Sequence, residues 1–191
     1  MDSFEFVQIP VSIVLGFGIS EILAGWGHQL RHRAEQAFSA LQLVASAYIL
    51  TWSFRYLWIQ WATRPETWNY GAYLLSAAPA VLLALAAHAI RFDPSIREHD
   101  PRAQYERSRR PVCVLLALLP GLMLARVFYI RGSLVNDPML ILPIFLVTTF
   151  VFAWLAATSR PRNQWIGWSL VWAITLTLFV SFFPILDQPN S

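Results

Sequence analysis

Residues 71–91 read GAYLLSAAPAVLLALAAHAIR, an apolar run that meets its first formal charge only at Arg91. A helix rises about 1.5 Å per residue, so about 20 residues cross a hydrocarbon core about 30 Å thick. Helices and closed barrels are the two structures that satisfy their backbone inside lipid. This run is far longer than a barrel strand, so it predicts a transmembrane helix.

The same pattern recurs on both sides of it. Apolar stretches lie at about 7–26, 38–61, 111–130, 139–158 and 165–184. The chain of 191 residues is 57% hydrophobic and 13% charged, with a mean hydropathy of +0.49. Soluble domains average about 25% charged residues, so the deficit marks a lipid-embedded chain. The expected fold is all-α: one polytopic membrane domain over residues 1–191, with six transmembrane helices.

Arginine placement orients it. All 14 basic residues are arginine. Arg31 and Arg33 fall in the first connection; Arg91, Arg97, Arg102, Arg107, Arg109 and Arg110 in or beside the third, about 92–110; and Arg160 and Arg162 in the fifth. The opposite side holds Arg64 and Arg131. By the positive-inside rule those three connections are cytoplasmic and both termini lie outside. The opening MDSFEF is acidic and lacks the basic start of a signal peptide, so the first span is expected to be retained in a bacterial inner membrane. The pI near 9.4 does not imply nucleic acid, because topology already accounts for the arginines.

Local signals support these limits. Asp137-Pro138 reads as the N-cap and first position of the fifth helix, and Pro111 as the start of the fourth. Asp100-Pro101 opens a short surface helix, RAQYERSRR, suited to anionic headgroups. Trp58, Trp61, Trp68, Trp165 and Trp168 fit interfacial belts. Cys113 is the lone cysteine, so no intrachain disulfide forms.

The functional clues are the polar groups at membrane depth. GFGISEILAGWGHQLRHRAEQ, residues 16–36, places Glu21 inside the first span. Gly25, His28, His32 and Glu35 follow at spacings that keep them within roughly 40° of one line on a straight helix. A carboxylate there is costly unless neutral, paired or wet. It serves either as a structural ion pair locking the bundle or as a proton carrier. His88 sits three residues before Arg91, in the same cytoplasmic half as Glu21, which makes Glu21–His88 the best cross-helix pair and a reasonable proton relay. A core histidine bonded to a backbone carbonyl is the plain alternative.

Arg55 and Arg126 lie in the outer halves of the second and fourth spans. They either snorkel to the headgroups or face inward as a positive outer vestibule that attracts anions. Tyr48, Trp52 and Arg55 share one helix face. Pro79 and Pro120 break the third and fourth spans near the midplane and free the carbonyls of Leu75 and Leu116, as packing kinks or as gates. Gly16, Gly18, Gly25 and Gly27 admit a close neighbouring helix, and six helices barely surround a cavity, so a homo-oligomer is expected.

Several chemistries fail. No phosphate loop, nucleophile elbow or His-Glu-x-x-His zinc motif is present. The pair His28 and His32 has turn spacing for a metal but no clear third ligand. Haem held by His28 and His88 lacks a second pair for electron transfer across the bilayer. No cofactor and no metal are expected.

FEFVQIPVSIVLGFGISEILAGWGHQLRHR, with its S-I-x-L-G-x-G pattern, resembles the start of a group of small bacterial multi-pass membrane proteins. The resemblance implies a bacterial membrane origin and no particular activity. Two functions follow from the residues. One is an oligomeric channel or transporter for protons or small ions, using Glu21 and His88 as the inner gate, Arg55 and Arg126 as the outer field, and Pro79 and Pro120 as hinges. The other is a non-transporting sensor, effector or assembly partner that docks proteins through its arginine-rich cytoplasmic face.

Overall fold

The structure is a computed structural model that describes residues 3–31, 39–63, 68–91, 101–131 and 138–182. Among the described residues there are six helices: α1 (Ser3–Arg31), α2 (Ala40–Ala62), α3 (Tyr70–Ile90), α4 (Pro101–Arg131), α5 (Pro138–Ala157) and α6 (Pro161–Phe182). No strand occurs among the described residues. Three helical stretches are long and apolar enough to cross a membrane: Phe4–Arg31, Tyr70–Ile90 and Arg102–Ile130. A shorter apolar stretch is Leu142–Ala157.

The start signals act as their chemistry requires. The Ser39 hydroxyl accepts the Gln42 amide at the head of α2, and the Asn69 side chain accepts the Ala72 amide, 2.9 Å away, at the head of α3. Pro138 opens α5; Asp137 lies outside the described residues. Pro111 does not open a helix. It sits on the exposed side inside α4, which runs unbroken from Pro101, so RAQYERSRR extends this helix rather than forming a separate one. A proline in a helix removes one amide bond. Buried side chains on both flanks hold the helix through that loss: Tyr105 and Arg109 before it, Val112, Cys113 and Leu116 after it.

α3 is the hub and packs on α1, α2 and α4. The chain of contacts continues from α4 to α5, α5 to α6, and α6 back to α2, which also touches α1. Gly18 sets the α1–α3 approach, because a Cβ there would stand 3.0 Å from Ala84 Cα and 3.3 Å from Ala87 Cβ. Tyr48 stacks edge-on with Phe152, Trp168 and Trp172 at centroid distances of 5.6, 5.7 and 5.6 Å, tying α2 to α5 and α6.

The surface is inverted relative to a water-soluble protein. Phe6, Phe17, Trp58, Leu146 and Phe150 are exposed, whereas Gln60, Arg126 and Gln164 are fully buried. Apolar surface on this scale fits contact with lipid. The amides Gln60 of α2 and Gln164 of α6 therefore turn inward to find partners.

Candidate functional site

Where α3 finishes against the body of α1, three ionisable side chains meet. His88 Nδ1 lies 2.9 and 3.1 Å from the two Glu21 carboxylate oxygens, and Arg91 donates to Glu21 Oε1 at 3.4 Å. Gly18 beside Ala84 and Ala87, followed by Glu21 beside His88 and Arg91, shows that α1 and α3 run in the same direction. The cluster is open: side-chain exposure is 30% for Glu21, 58% for His88 and 45% for Arg91. It therefore sits on the flank of the α1–α3 seam, not in an enclosed interior.

Behind it runs an amide chain that the sequence pattern did not single out. Gln29 donates to Gln42 Oε1 at 3.5 Å, and Gln42 donates to the Ile90 carbonyl at 2.9 Å. Trp26 Nε1 donates to the Ser46 hydroxyl at 2.8 Å. These side chains line a cleft among α1, α2 and α3 together with Gly25 and Arg91. His28 is half-buried on α1, two turns beyond Glu21. His32 and Glu35 lie outside the described residues. Among the described residues no group of three or more His, Cys, Asp or Glu is placed to hold a metal ion.

A second polar centre joins α2, α3 and α4. Arg126, fully buried, donates through Nε to the Ser76 hydroxyl at 3.3 Å. Its other nitrogens reach Thr63 Oγ1 at 2.7 Å, Gln60 Oε1 at 3.1 Å and the Thr63 carbonyl at 3.3 Å. Tyr56 and Gln60 both donate to the Ser76 carbonyl, at 2.6 and 2.7 Å. That carbonyl is next in the chain to the one at Leu75 that Pro79 leaves without its helical donor, so the polar junction lies beside the proline's break.

Arg55 faces another way. Its guanidinium lies 5.0 Å from the Trp52 ring centroid and reaches the Thr175 carbonyl of α6 at 3.5 Å. Arg55 and Arg126 meet different faces of α2. Pro120 lines a narrow apolar crevice between α2, α4, α5 and α6.

Arg109 is the functional-looking side chain that becomes structural. It is buried, and its Nη1 donates to the carbonyls of Leu155 (2.6 Å), Ala156 (3.3 Å) and Thr158. Its Nε lies 3.1 Å from Glu106 Oε2. A guanidinium in the last carbonyls of α5 satisfies orphan acceptors and complements the negative end of the helix. Gln164 Nε2 supports the same cap through the Leu155 carbonyl at 3.1 Å and the Thr158 carbonyl. Comparison with protein-family models, curated proteins and solved structures finds no match to this chain.

Proposed function

We propose that this chain is a small bacterial inner-membrane protein, with six spans and both termini outside, that moves protons or small ions as a homo-oligomer. The supporting observation is the Glu21–His88–Arg91 contact. A carboxylate and an imidazole 2.9 Å apart exchange a proton with little motion, and the adjoining Arg91 balances the carboxylate charge. Because the cluster opens on the flank of α1 and α3, the path it serves runs along that flank and a second copy closes it. Gly16 and Gly27 leave open space on the same helix, which lets another helix approach. Pro79 and Pro120 leave weak points near mid-depth in α3 and α4 where the bundle bends.

Proteoliposomes holding a pH-sensitive dye test this proposal. Flux is expected in the wild-type protein and is lost in Glu21→Gln, with helical content unchanged by circular dichroism. Normal pH-dependent flux in folded Glu21→Gln removes the cluster from the mechanism.

A second function, docking of other proteins by a non-transporting sensor, effector or assembly partner, draws on the exposed Arg102, Arg107 and Arg110 of α4. It is favoured if no flux is measurable and a co-purifying partner disappears in the double variant Arg107→Glu/Arg110→Glu. Arg109 has no part in that surface, since it is buried in the α5 cap.

A further inference from the structure

We infer that Arg107 and Arg110 of α4 bind the phosphate of an anionic phospholipid whose acyl chains lie along the exposed face of the same helix. The site rests on the membrane placement of α4 proposed above and stands apart from the Glu21 cluster.

α4 has 31 residues. At about 1.5 Å per residue it is about 46 Å long, against about 30 Å of hydrocarbon and about 40–45 Å with both headgroup layers. Upright, it is long enough to reach from one headgroup layer to the other. Its outward face keeps one line over most of that length. At about 100° per residue, Arg107, Arg110, Val114, Leu118, Ala125 and Phe128 fall within about 80° of one another, and all are exposed. The two arginines thus head an apolar stripe, with Val114 one turn from Arg110.

Pro111 marks where the polar layer meets this face. It is exposed beside Arg107 and Arg110 and brings no amide hydrogen to the turn before it. Such a gap in the backbone ladder is tolerated at headgroup depth and costly in hydrocarbon.

The fold selects these two from the four arginines of the segment. Arg109 is buried in the α5 cap and holds the neighbouring carboxylate of Glu106, 3.1 Å from its Nε. Arg102 stands about 12 Å further along the helix than Arg110, away from the apolar stripe. Arg107 and Arg110 are neighbours one turn apart. Like charges at that spacing repel, and a phosphate between them replaces the repulsion with two charge-assisted contacts. An occupant of this face offers an anion at one end and hydrocarbon over the turns that follow, which is the build of a phospholipid. A zwitterionic lipid brings a cation beside the pair, so the site favours a headgroup of net negative charge.

Native mass spectrometry of the full-length protein in detergent, titrated with dioleoylphosphatidylglycerol and with dioleoylphosphatidylcholine, tests the site. The wild type is expected to hold its first phosphatidylglycerol about tenfold more tightly than its first phosphatidylcholine, the scale of one net charge-assisted contact. Arg107→Gln/Arg110→Gln removes that preference, and Arg107→Lys/Arg110→Lys keeps part of it. Arg110→Gln weakens the preference, whereas Arg102→Gln, the same change in net charge, leaves it. Circular dichroism checks the folding of each variant, and the single variants decide the outcome if the double variants do not fold. Equal retention of the two lipids by the wild type, an unchanged preference in folded Arg107→Gln/Arg110→Gln, or an equal loss in Arg102→Gln and Arg110→Gln overturns the site. Inorganic phosphate adducts that depend on the pair, without a lipid preference, overturn it by giving the pair to a soluble anion. A co-purified protein lost in Arg107→Glu/Arg110→Glu, again without a lipid preference, overturns it by giving the face to a protein. Carbonate washing of the protein in dioleoylphosphatidylcholine liposomes checks the membrane placement separately. Release by carbonate overturns the placement and the site together; retention without a lipid preference overturns the site alone.

Discussion

Arg109→Met tests how a charge buried at a helix end is used. The wild-type side chain directs one nitrogen at three carbonyls at the end of α5. That nitrogen carries two hydrogens, so the contact amounts to about two charge-assisted bonds at about 1.5–3 kcal/mol each before sharing. The cationic end adds about 0.3–1 kcal/mol through the helix dipole. Two offsets apply. Gln164 keeps the carbonyls of Leu155 and Thr158 satisfied, and methionine relieves the guanidinium of its dehydration. The balance is a loss of about 2–3 kcal/mol, with the Ala156 carbonyl stripped of its donor. Chemical unfolding of the detergent-solubilised protein, followed by circular dichroism, measures it. Arg107→Met is the control: its site is exposed, and the change should stay within about 0.5 kcal/mol. Adding Gln164→Leu to Arg109→Met removes the remaining donor, so the double variant should lose more than the sum of the two singles. Equal stability of Arg109→Met and Arg107→Met would refute the cap.

Three further outcomes follow from the packing. Gly18→Leu has no room, because its neighbour is the backbone of Ala84 at 3.0 Å; it should cost about 1–3 kcal/mol and, in proteoliposomes, reduce flux by separating Glu21 from His88. Wild-type stability in that variant would exclude the close α1–α3 contact. Gly27→Ala meets nothing within 4 Å, so it should be neutral or stabilise α1 by up to about 1 kcal/mol in the same unfolding assay; a marked loss would mean that the site is crowded. Gln60→Leu removes an acceptor from Arg126 and a donor from the Ser76 carbonyl, for an expected loss of about 1–2 kcal/mol; no change would show that the junction is dispensable.

The sequence predicts six transmembrane helices and a separate short surface helix; among the described residues six helices are present, three of them long and apolar enough to cross a membrane, with boundaries within a few residues for α2, α3 and α5. Pro111 was misplaced because a proline marks both a helix start and a tolerated interior position, and only the buried residues on each side tell the two apart. The Glu21–His88 contact was legible because depth is a sequence property in a membrane helix. Counting from the basic ends sets both residues in the same half of the span, and a carboxylate there needs a partner. The Gln29–Gln42 chain gave no such signal, since amides are unremarkable in sequence and gain meaning only where they meet.

The sequence by itself determined the helical class, the apolar lengths and the level of each polar group along its helix. Only the tertiary structure decided direction. Arg109 turns into the end of α5, Arg126 into a junction of three helices, and Arg55 toward α6 beside an apolar cleft, although all three read alike in the chain. In a soluble helix an apolar stripe announces which face is inside. These helices are apolar on nearly all sides, so rotation about the axis is set by the neighbours they pack against, and the direction of a side chain emerges with the bundle.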